Sequence, residues 1–396
     1  MKTSERPAGP FKLGVIANEF FDPAHGGVGG FGWAARQAAR LFNEDPALGV
    51  EPVFLSRMVR PGSHAVRVHG TALLGGGGRL ASARRLRAEG FDLLLMIDYR
   101  PSYRFFAAAL PRTPVVVWVR DPRPPEDVRK IGTLRLPDGG RPQGIDPVDC
   151  RSLGMIAHAS RLLRRPLLFA TPAPSLASKI PATYGATPSK VFFLPNPVDD
   201  GQPNPFDDGA GAPEESAPRR VVFLGRLDPV KRPWLFVELA AWFPEVEFLF
   251  VGRPHFEGEG AWRPEGLPPN VRMLGHLDGP SKTEVLRSAA ALVNTSIHES
   301  LSVSFLESLA CATPVISCQD PEAVVSRFGY YVGRFDGNGR DALPRFAEAL
   351  ARLLRDREER ARLGREGRAW VAATHNPARF LEAFRELRAA AGLARP

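Results

Sequence analysis

The sequence predicts an α/β protein built from two doubly wound, mostly parallel sheets. Three observations carry this expectation. Short apolar, β-branched runs recur between helix-like stretches. Several of those runs are continuous, without strict alternation, as in parallel strands covered on both faces. The same rhythm starts again after a polar stretch near the middle of the chain, which gives two successive α/β units. With 396 residues the chain is long enough for two domains. Its 44% hydrophobic and 24% charged content is that of a globular protein and excludes disorder and fibres.

Strands are expected at Leu13–Ala17, Pro52–Leu55, Leu93–Ile97, Val115–Val119, Leu167–Ala170 and Val191–Leu194, with helices at Gly32–Phe42 and Ala81–Glu89 between them. Asp199–Arg220 is dense in Asp, Gly and Pro and almost free of large apolar residues, so it reads as a linker. Beyond it, strands are expected at Val221–Leu224, Glu247–Val251, Val271–Leu274, Ala291–Asn294 and Pro314–Ser317. Helices at Trp234–Phe243, Lys282–Ser288 and Ser302–Ala310 alternate with these. A pair or trio of amphipathic helices over Asp341–Leu363 and Pro377–Leu393 closes the chain. The domains are thus expected at 1–198, 221–375 and, across the linker 199–220, a last helix at 376–396 that packs back on the N-terminal domain.

The longest apolar runs, Leu93–Ile97 and Val115–Val119, fall far below the roughly 18 residues of a membrane span. The opening MKTSERPAGPFK has neither the apolar core nor the cleavage pattern of a signal peptide. Cys150, Cys311 and Cys318 are sparse, odd in number and without metal-ligand spacing. A cytoplasmic location is the expectation.

Net charge is +9, and it is unevenly divided. Residues 1–198 carry 27 Lys+Arg against 15 Asp+Glu, a balance of +12, while residues 199–396 carry 25 against 28, a balance of −3. Such asymmetry points to nucleic acid, an anionic membrane surface or an anionic substrate. An Arg-rich, Ala-, Pro- and Gly-rich composition of this kind is also what GC-rich coding produces.

Three segments carry candidate chemistry. Gly26-Gly27-Val28-Gly29-Gly30 follows the first strand and leads into a helix, so backbone N–H groups can approach an anion. Its spacing is not that of a dinucleotide fingerprint, and a plain flexible turn reads equally well. Gly225-Arg226-Leu227-Asp228-Pro229-Val230-Lys231-Arg232-Pro233 follows a strand at the edge where open α/β sheets bind ligands. A guanidinium fork with a point-charge ammonium suits a diphosphate. Glu299 stands in the loop of His298-Glu299-Ser300-Leu301-Ser302, and Glu307 lies on the helix that Ser300 or Ser302 can cap. Two carboxylates at different depths suit the diols of sugars. His298 reads as a bystander, and Cys311 and Cys318 read as small core residues.

Together these segments resemble the retaining glycosyltransferases of family 4, the group 1 transferases with the GT-B fold. The match runs through Gly225-Arg226…Lys231, Phe248–Gly252, Val271–Gly275 and Glu299-x7-Glu307 into Ala310–Ile316, about 90 residues in order. Asn196-Pro197-Val198-Asp199 is similar to the family's Asn-Gly-Val-Asp segment. The resemblance implies two Rossmann-like domains facing a central cleft, with C-terminal helices. It implies transfer of a sugar from a nucleotide diphosphate sugar, UDP- or GDP-linked, to a saccharide or lipid-linked acceptor, with retention of configuration and no metal.

By that resemblance Arg226 and Lys231 hold the diphosphate, Glu299 the sugar hydroxyls and Glu307 the ribose, with backbone amides near Ser302 and Val303 adding to anion stabilisation. Gly26 and Gly27 join the donor site, and Lys282 lies near the base. Gly29, Arg120 and Asp121 fall on the acceptor side. Arg120 stands where many relatives have His and cannot act as a base at neutral pH, so it is expected to meet a phosphate or an anionic sugar. A nucleotide-sugar epimerase of related fold would need acid and base residues and no acceptor. A basic nucleic-acid-binding protein would interleave its cations with aromatics, which this chain does not do. No nucleic-acid partner is expected. The +12 half instead suggests an anionic acceptor or peripheral contact with an anionic membrane at the cytoplasmic leaflet.

Overall fold

The computed structural model describes residues 9–17, 19, 29–56, 66–75, 78–143, 145, 147–199, 219–254, 262–264 and 266–393. The chain divides into two compact units. One comprises Met1–Pro122, Val148–Pro197 and Ala378–Pro396, and the other Arg123–Pro147 and Val198–Pro377.

The first unit holds strands β1 (Phe11–Ile16), β2 (Val50–Ser56), β3 (Arg67–Val68), β4 (Thr71–Gly75), β5 (Leu93–Ile97), β6 (Val115–Trp118), β7 (Leu167–Thr171) and β8 (Val191–Phe193). They form one sheet in the order β3-β4-β2-β1-β5-β6-β7-β8. Pairing is parallel except for the edge hairpin β3–β4. Every residue of β5 and β6 is fully buried, which explains their uninterrupted apolar sequences. Helices Arg79–Glu89, Arg104–Ala109 and Ser152–Leu162 pack beside one another in that order. Their Leu86, Phe106, Leu153 and Ile156 share a core with Leu94, Met96, Val115 and Val117 of the sheet. The helix Pro377–Ala390 belongs to this unit, where Phe384 lies 4.6 Å from Phe42 and Phe380 lies 5.5 Å from Trp118.

The second unit holds β9 (Arg219–Leu224), β10 (Val246–Val251), β11 (Val271–Gly275), β12 (Ala291–Asn294), β13 (Val315–Ser317) and β14 (Gly329–Tyr331), all parallel, in the order β11-β10-β9-β12-β13-β14. Chain direction across the sheet reverses between β9 and β12, so their carboxyl ends flank the switch point where such sheets bind ligands. Phe223, Phe236, Phe248 and Phe250 fill its centre, Phe223 and Phe250 at 4.3 Å.

Several elements differ from the sequence expectation. The edge pair β3–β4, strand β14 and the helices Arg104–Ala109, Pro125–Gly132 and Ser152–Leu162 lack a periodic signal long enough to read. The C-terminal stretch agrees with the expected pair or trio of helices: Leu343–Arg355 and Arg357–Thr374 precede Pro377–Ala390, the first two separated at Asp356, whose carboxylate accepts from Glu359 N at 2.9 Å and caps the second. Arg123–Pro147, which the sequence keeps within 1–198, lies with the second unit. Leu134 is buried in that unit's core, and Arg340 Nη1 donates to Pro137 O at 3.0 Å. The described residues of the segment contribute no strand, so tertiary packing decides their membership. The linker expected at 199–220 lies outside the described residues at 200–218.

Candidate functional site

The loop after β9 is built around a buried arginine. Asp228 leads into a single 3-10 turn, Pro229–Lys231, and Arg232 then adopts a left-handed conformation, φ +45°, before Pro233 opens the helix Pro233–Ala240. That backbone costs roughly 1–2 kcal/mol in a residue with a Cβ. The fully buried Arg232 guanidinium offsets it by donating to the carbonyls of Thr295 (2.8 Å), Phe335 (2.9 Å) and Ser296 (3.3 Å). Burial lowers its pKa below the ordinary arginine value. Thr295 Oγ1 bonds back to the carbonyls of Lys231 and Arg232, and Ile297 N donates to Val230 O at 2.9 Å. The loops after β9 and β12 are thereby one rigid piece.

That piece presents Lys231 to Glu299. Lys231 Nζ donates to Glu299 Oε1 at 2.5 Å, and the same oxygen accepts from Asn294 Nδ2 (3.0 Å) and Ser296 Oγ (2.7 Å). Asn294 is itself oriented by Ser317 Oγ, which donates to its Oδ1 at 3.1 Å. The Glu299 side chain is 8% exposed. Burial alone would push its pKa up, but the Lys231 charge and the three hydrogen bonds outweigh it and hold the carboxyl below the ordinary value of 4.5. Glu299 is therefore anionic at neutral pH.

Arg226, half-buried at the start of the loop, pairs with Asp228 through Nε and Oδ2 at 3.0 Å. Gly252 makes this approach of strand ends feasible. Its φ is +151°, and a Cβ there would collide with the carbonyl oxygen of Gly225.

A second ion pair joins two more of the residues singled out in the sequence. Lys282, on the helix Gly279–Arg287, donates to Glu307 Oε1 at 2.7 Å and lies 3.7 Å from Asp278. Glu307 is in the second turn of the helix Val303–Ala310. Ser302 occupies the cap position but forms no side-chain cap; its hydroxyl pairs with Ser304 Oγ at 2.9 Å. His298 is buried with Nδ1 4.0 Å from Asp127 Oδ1.

In the first unit, Gly26 and Gly27 lie outside the described residues. Gly29 precedes the helix Gly30–Glu44, and the space a Cβ would need there is taken by the Glu19 carboxylate. Glu19 Oε2 accepts from Phe31 N (3.1 Å) and Gly32 N (3.3 Å), so a carboxylate of the chain itself sits on this helix N-terminus. Arg120 is buried, stacked 4.6 Å over Trp118, with Nη1 donating to Asn196 Oδ1 at 2.5 Å. Its Nε meets no hydrogen-bond partner among the described residues. Burial pulls its pKa down to about 10 against the opposing charges of Asp98, Glu19 and Asp121. Asp98, left-handed at φ +57° and buried, accepts from Tyr184 Oη at 2.5 Å.

The structure thus brings Lys231 to Glu299 and Lys282 to Glu307, and sets Arg226 against Asp228. The residues that sequence reasoning missed are the supports: Asn294, Thr295, Ser296, Arg232 and, in the first unit, Glu19; Asn196 stands in a family-like segment but carries no role in the sequence reading. Asn294 ends a strand legible in the sequence, which is the one signal that could have found it.

Residues 210–370 match the family model of glycosyl transferases group 1. A D-inositol 3-phosphate glycosyltransferase of Actinosynnema mirum is 33% identical over 213 residues, 48% of this chain and 48% of its own. A phosphatidyl-myo-inositol mannosyltransferase of Mycolicibacterium smegmatis is 32% identical over 135 residues, 33% of this chain and 34% of its own. The chain therefore spans about half, or less, of the length of these curated relatives. Among solved structures, a sucrose-phosphate synthase from Thermosynechococcus elongatus superposes with TM-score 0.66 at 18% identity, covering 96% of this chain and 99% of that one. Anabaena HepE, solved with UDP-glucose, gives 0.68 at 14% identity over the same shares. These likenesses show the fold: an α/β chain of GT-B type with two Rossmann-like units and C-terminal helices.

Proposed function

We propose that this chain is a glycosyltransferase that moves a sugar from a nucleotide diphosphate sugar to a saccharide or lipid-linked acceptor with retention of configuration. The observation that carries the reading is the Lys231–Glu299 pair at the switch point of the second sheet, within the segment that matches the transferase family. All three hydrogen bonds to Glu299 fall on Oε1, which leaves Oε2 to accept from a sugar hydroxyl. Lys231 and Arg226 supply fixed positive charge for the diphosphate, and the backbone amides at Ser302 and Val303 add to it. Glu307 takes the ribose hydroxyls, and Lys282 orients its carboxylate.

Breaking the bond from sugar to phosphate builds negative charge on the leaving diphosphate and positive charge on the sugar. The Lys231 ammonium favours the first and the Glu299 carboxylate the second, with the acceptor proton passing to a donor phosphate oxygen. The residues require no metal for these roles. A UDP- or GDP-sugar is the donor we favour, since Anabaena HepE, of the same fold, was solved with UDP-glucose. The test is a thermal-shift and hydrolysis screen against UDP-, GDP-, ADP- and dTDP-sugars. A rise in melting temperature with one donor supports the reading, and the anomeric configuration of the product by NMR decides retention. No shift with any donor at millimolar concentration overturns it.

A further inference from the structure

A helix covering a sheet turns its apolar side inward and its charged side to water. Ser152–Leu162 obeys the inward half of that rule, with Leu153, Ile156 and Ser160 buried. Its outer side does not follow it. Met155 is 60% exposed, Leu162 73% and Leu163, just past the helix, 53%. Met155, His158, Ala159 and Leu162 fall at i, i+3, i+4 and i+7, so the exposed positions form one stripe. Leu80, at the start of the helix Arg79–Glu89 on the same face of the sheet, is 78% exposed.

The stripe is held in place. Arg164 closes the helix in a left-handed conformation, φ +50°, and Arg165 N donates to Ser160 O at 2.8 Å. The buried Arg165 side chain donates to Ser160 Oγ at 2.7 Å and to Ala107 O at 2.9 Å, tying the helix end to the neighbouring helix. Leu162 and Leu163 are therefore presented by a fixed turn.

Isolated exposed leucines need no explanation, but clustered ones indicate a covering partner. The charge around them says which. Arg151, Arg161 and Arg164 are exposed in the same segment, and Asp149 is its one carboxylate between residues 148 and 166. Arg79 and Arg84 are exposed on the helix that carries Leu80. An apolar stripe inside a frame of one positive sign complements an anionic surface with an apolar layer beneath it.

We propose that this face docks on an anionic lipid bilayer, with Met155, Leu162 and Leu163 entering the headgroup boundary and the arginines meeting lipid phosphates. The proposal deepens the transferase reading by giving a lipid-linked acceptor its partner surface, yet its test does not depend on catalysis.

The test is cosedimentation of the full chain with vesicles of phosphatidylcholine alone or of equal parts phosphatidylcholine and phosphatidylglycerol. Binding is expected to the mixed vesicles only, and to weaken with salt. Leu162→Ser with Leu163→Ser should weaken it on the order of tenfold. Arg161→Gln and Arg164→Gln should each cost about fivefold. Circular dichroism, melting temperature and any donor-induced thermal shift should be unchanged in all of these variants, so a failure of the transferase reading would show up separately. Equal binding to both vesicles, no binding, or binding indifferent to the leucine substitutions overturns the proposal. So does a concentration-dependent dimer that the leucine substitutions abolish, since a second copy would then cover the stripe.

Discussion

Both sheets reverse strand order near their middle, and each carries ionisable side chains at the strand ends that flank the reversal. In the second unit Lys231 follows β9 and Glu299 follows β12, and their contact is with each other. In the first unit Glu19 follows β1 and Asp98 follows β5, and both carboxylates are engaged by the chain's own donors, two helix amides and the Tyr184 hydroxyl. The half with the large positive balance thus shows acidic groups and a buried arginine at its switch point. The half with the negative balance shows opposed ion pairs, Lys231 with Glu299 and Lys282 with Glu307. Bulk charge and site charge are separate properties of this molecule, because a few buried groups set the local field while many solvated ones set the sum.

The strongest way to break this contrast is Lys231→Ala. It should lower turnover by about 10²–10³-fold. It should also destabilise the second unit by about 3–5 kcal/mol, since Glu299 is left as an uncompensated buried charge. The double change Lys231→Met with Glu299→Leu should recover the melting temperature without recovering activity. Restored turnover in that variant would dissolve the distinction between the two units.

Glu307→Gln should act next in size. Loss of a charged hydrogen bond worth about 1.5–3 kcal/mol should raise the KM for the donor roughly 10- to 100-fold and leave kcat nearly unchanged. A fall in kcat with KM constant would move Glu307 from binding to the reacting centre. Arg120→Leu tests the other side. It removes the donor to buried Asn196 Oδ1 and should cost about 1–3 kcal/mol, read as a lower melting temperature. The donor-induced thermal shift should survive it, and its loss would bring Arg120 into the donor site.

The pH profile sharpens the same comparison. Glu299 has a lowered pKa in the folded state, so its contribution to stability is present above the ordinary carboxylate value of 4.5 and is lost as pH falls through the lower folded value. Melting temperature should therefore fall on acidification below that point, and less steeply in Glu299→Gln. The smallest effect belongs to Glu19→Ala. Removing the acceptor for Phe31 N and Gly32 N should cost about 1 kcal/mol, visible as faster amide exchange in the first turn of the helix Gly30–Glu44.

The sequence alone determined the strands whose apolar runs are continuous. Leu93–Ile97 and Ala291–Asn294 fall where the residues place them, because burial on both faces demands such runs. It also singled out Lys231, Glu299 and Glu307, since charged residues at strand ends and on the helices that follow stand out against an apolar background, whereas Lys282 came only from the family resemblance.

Only tertiary structure decided which charge meets which. Nothing in the spacing of residues 231 and 299 or 282 and 307 specifies their pairing, which follows from the neighbouring positions of β9 and β12 and of two helices. The same holds for Arg232, whose formal charge reads as solvated in the sequence but serves as a buried clamp on three carbonyls. It holds for Arg123–Pro147, whose described residues carry no strand and which joins the unit that buries Leu134. Local periodicity encodes elements, whereas long-range hydrogen bonds and ion pairs depend on strand order, and strand order is a property of the whole packed chain.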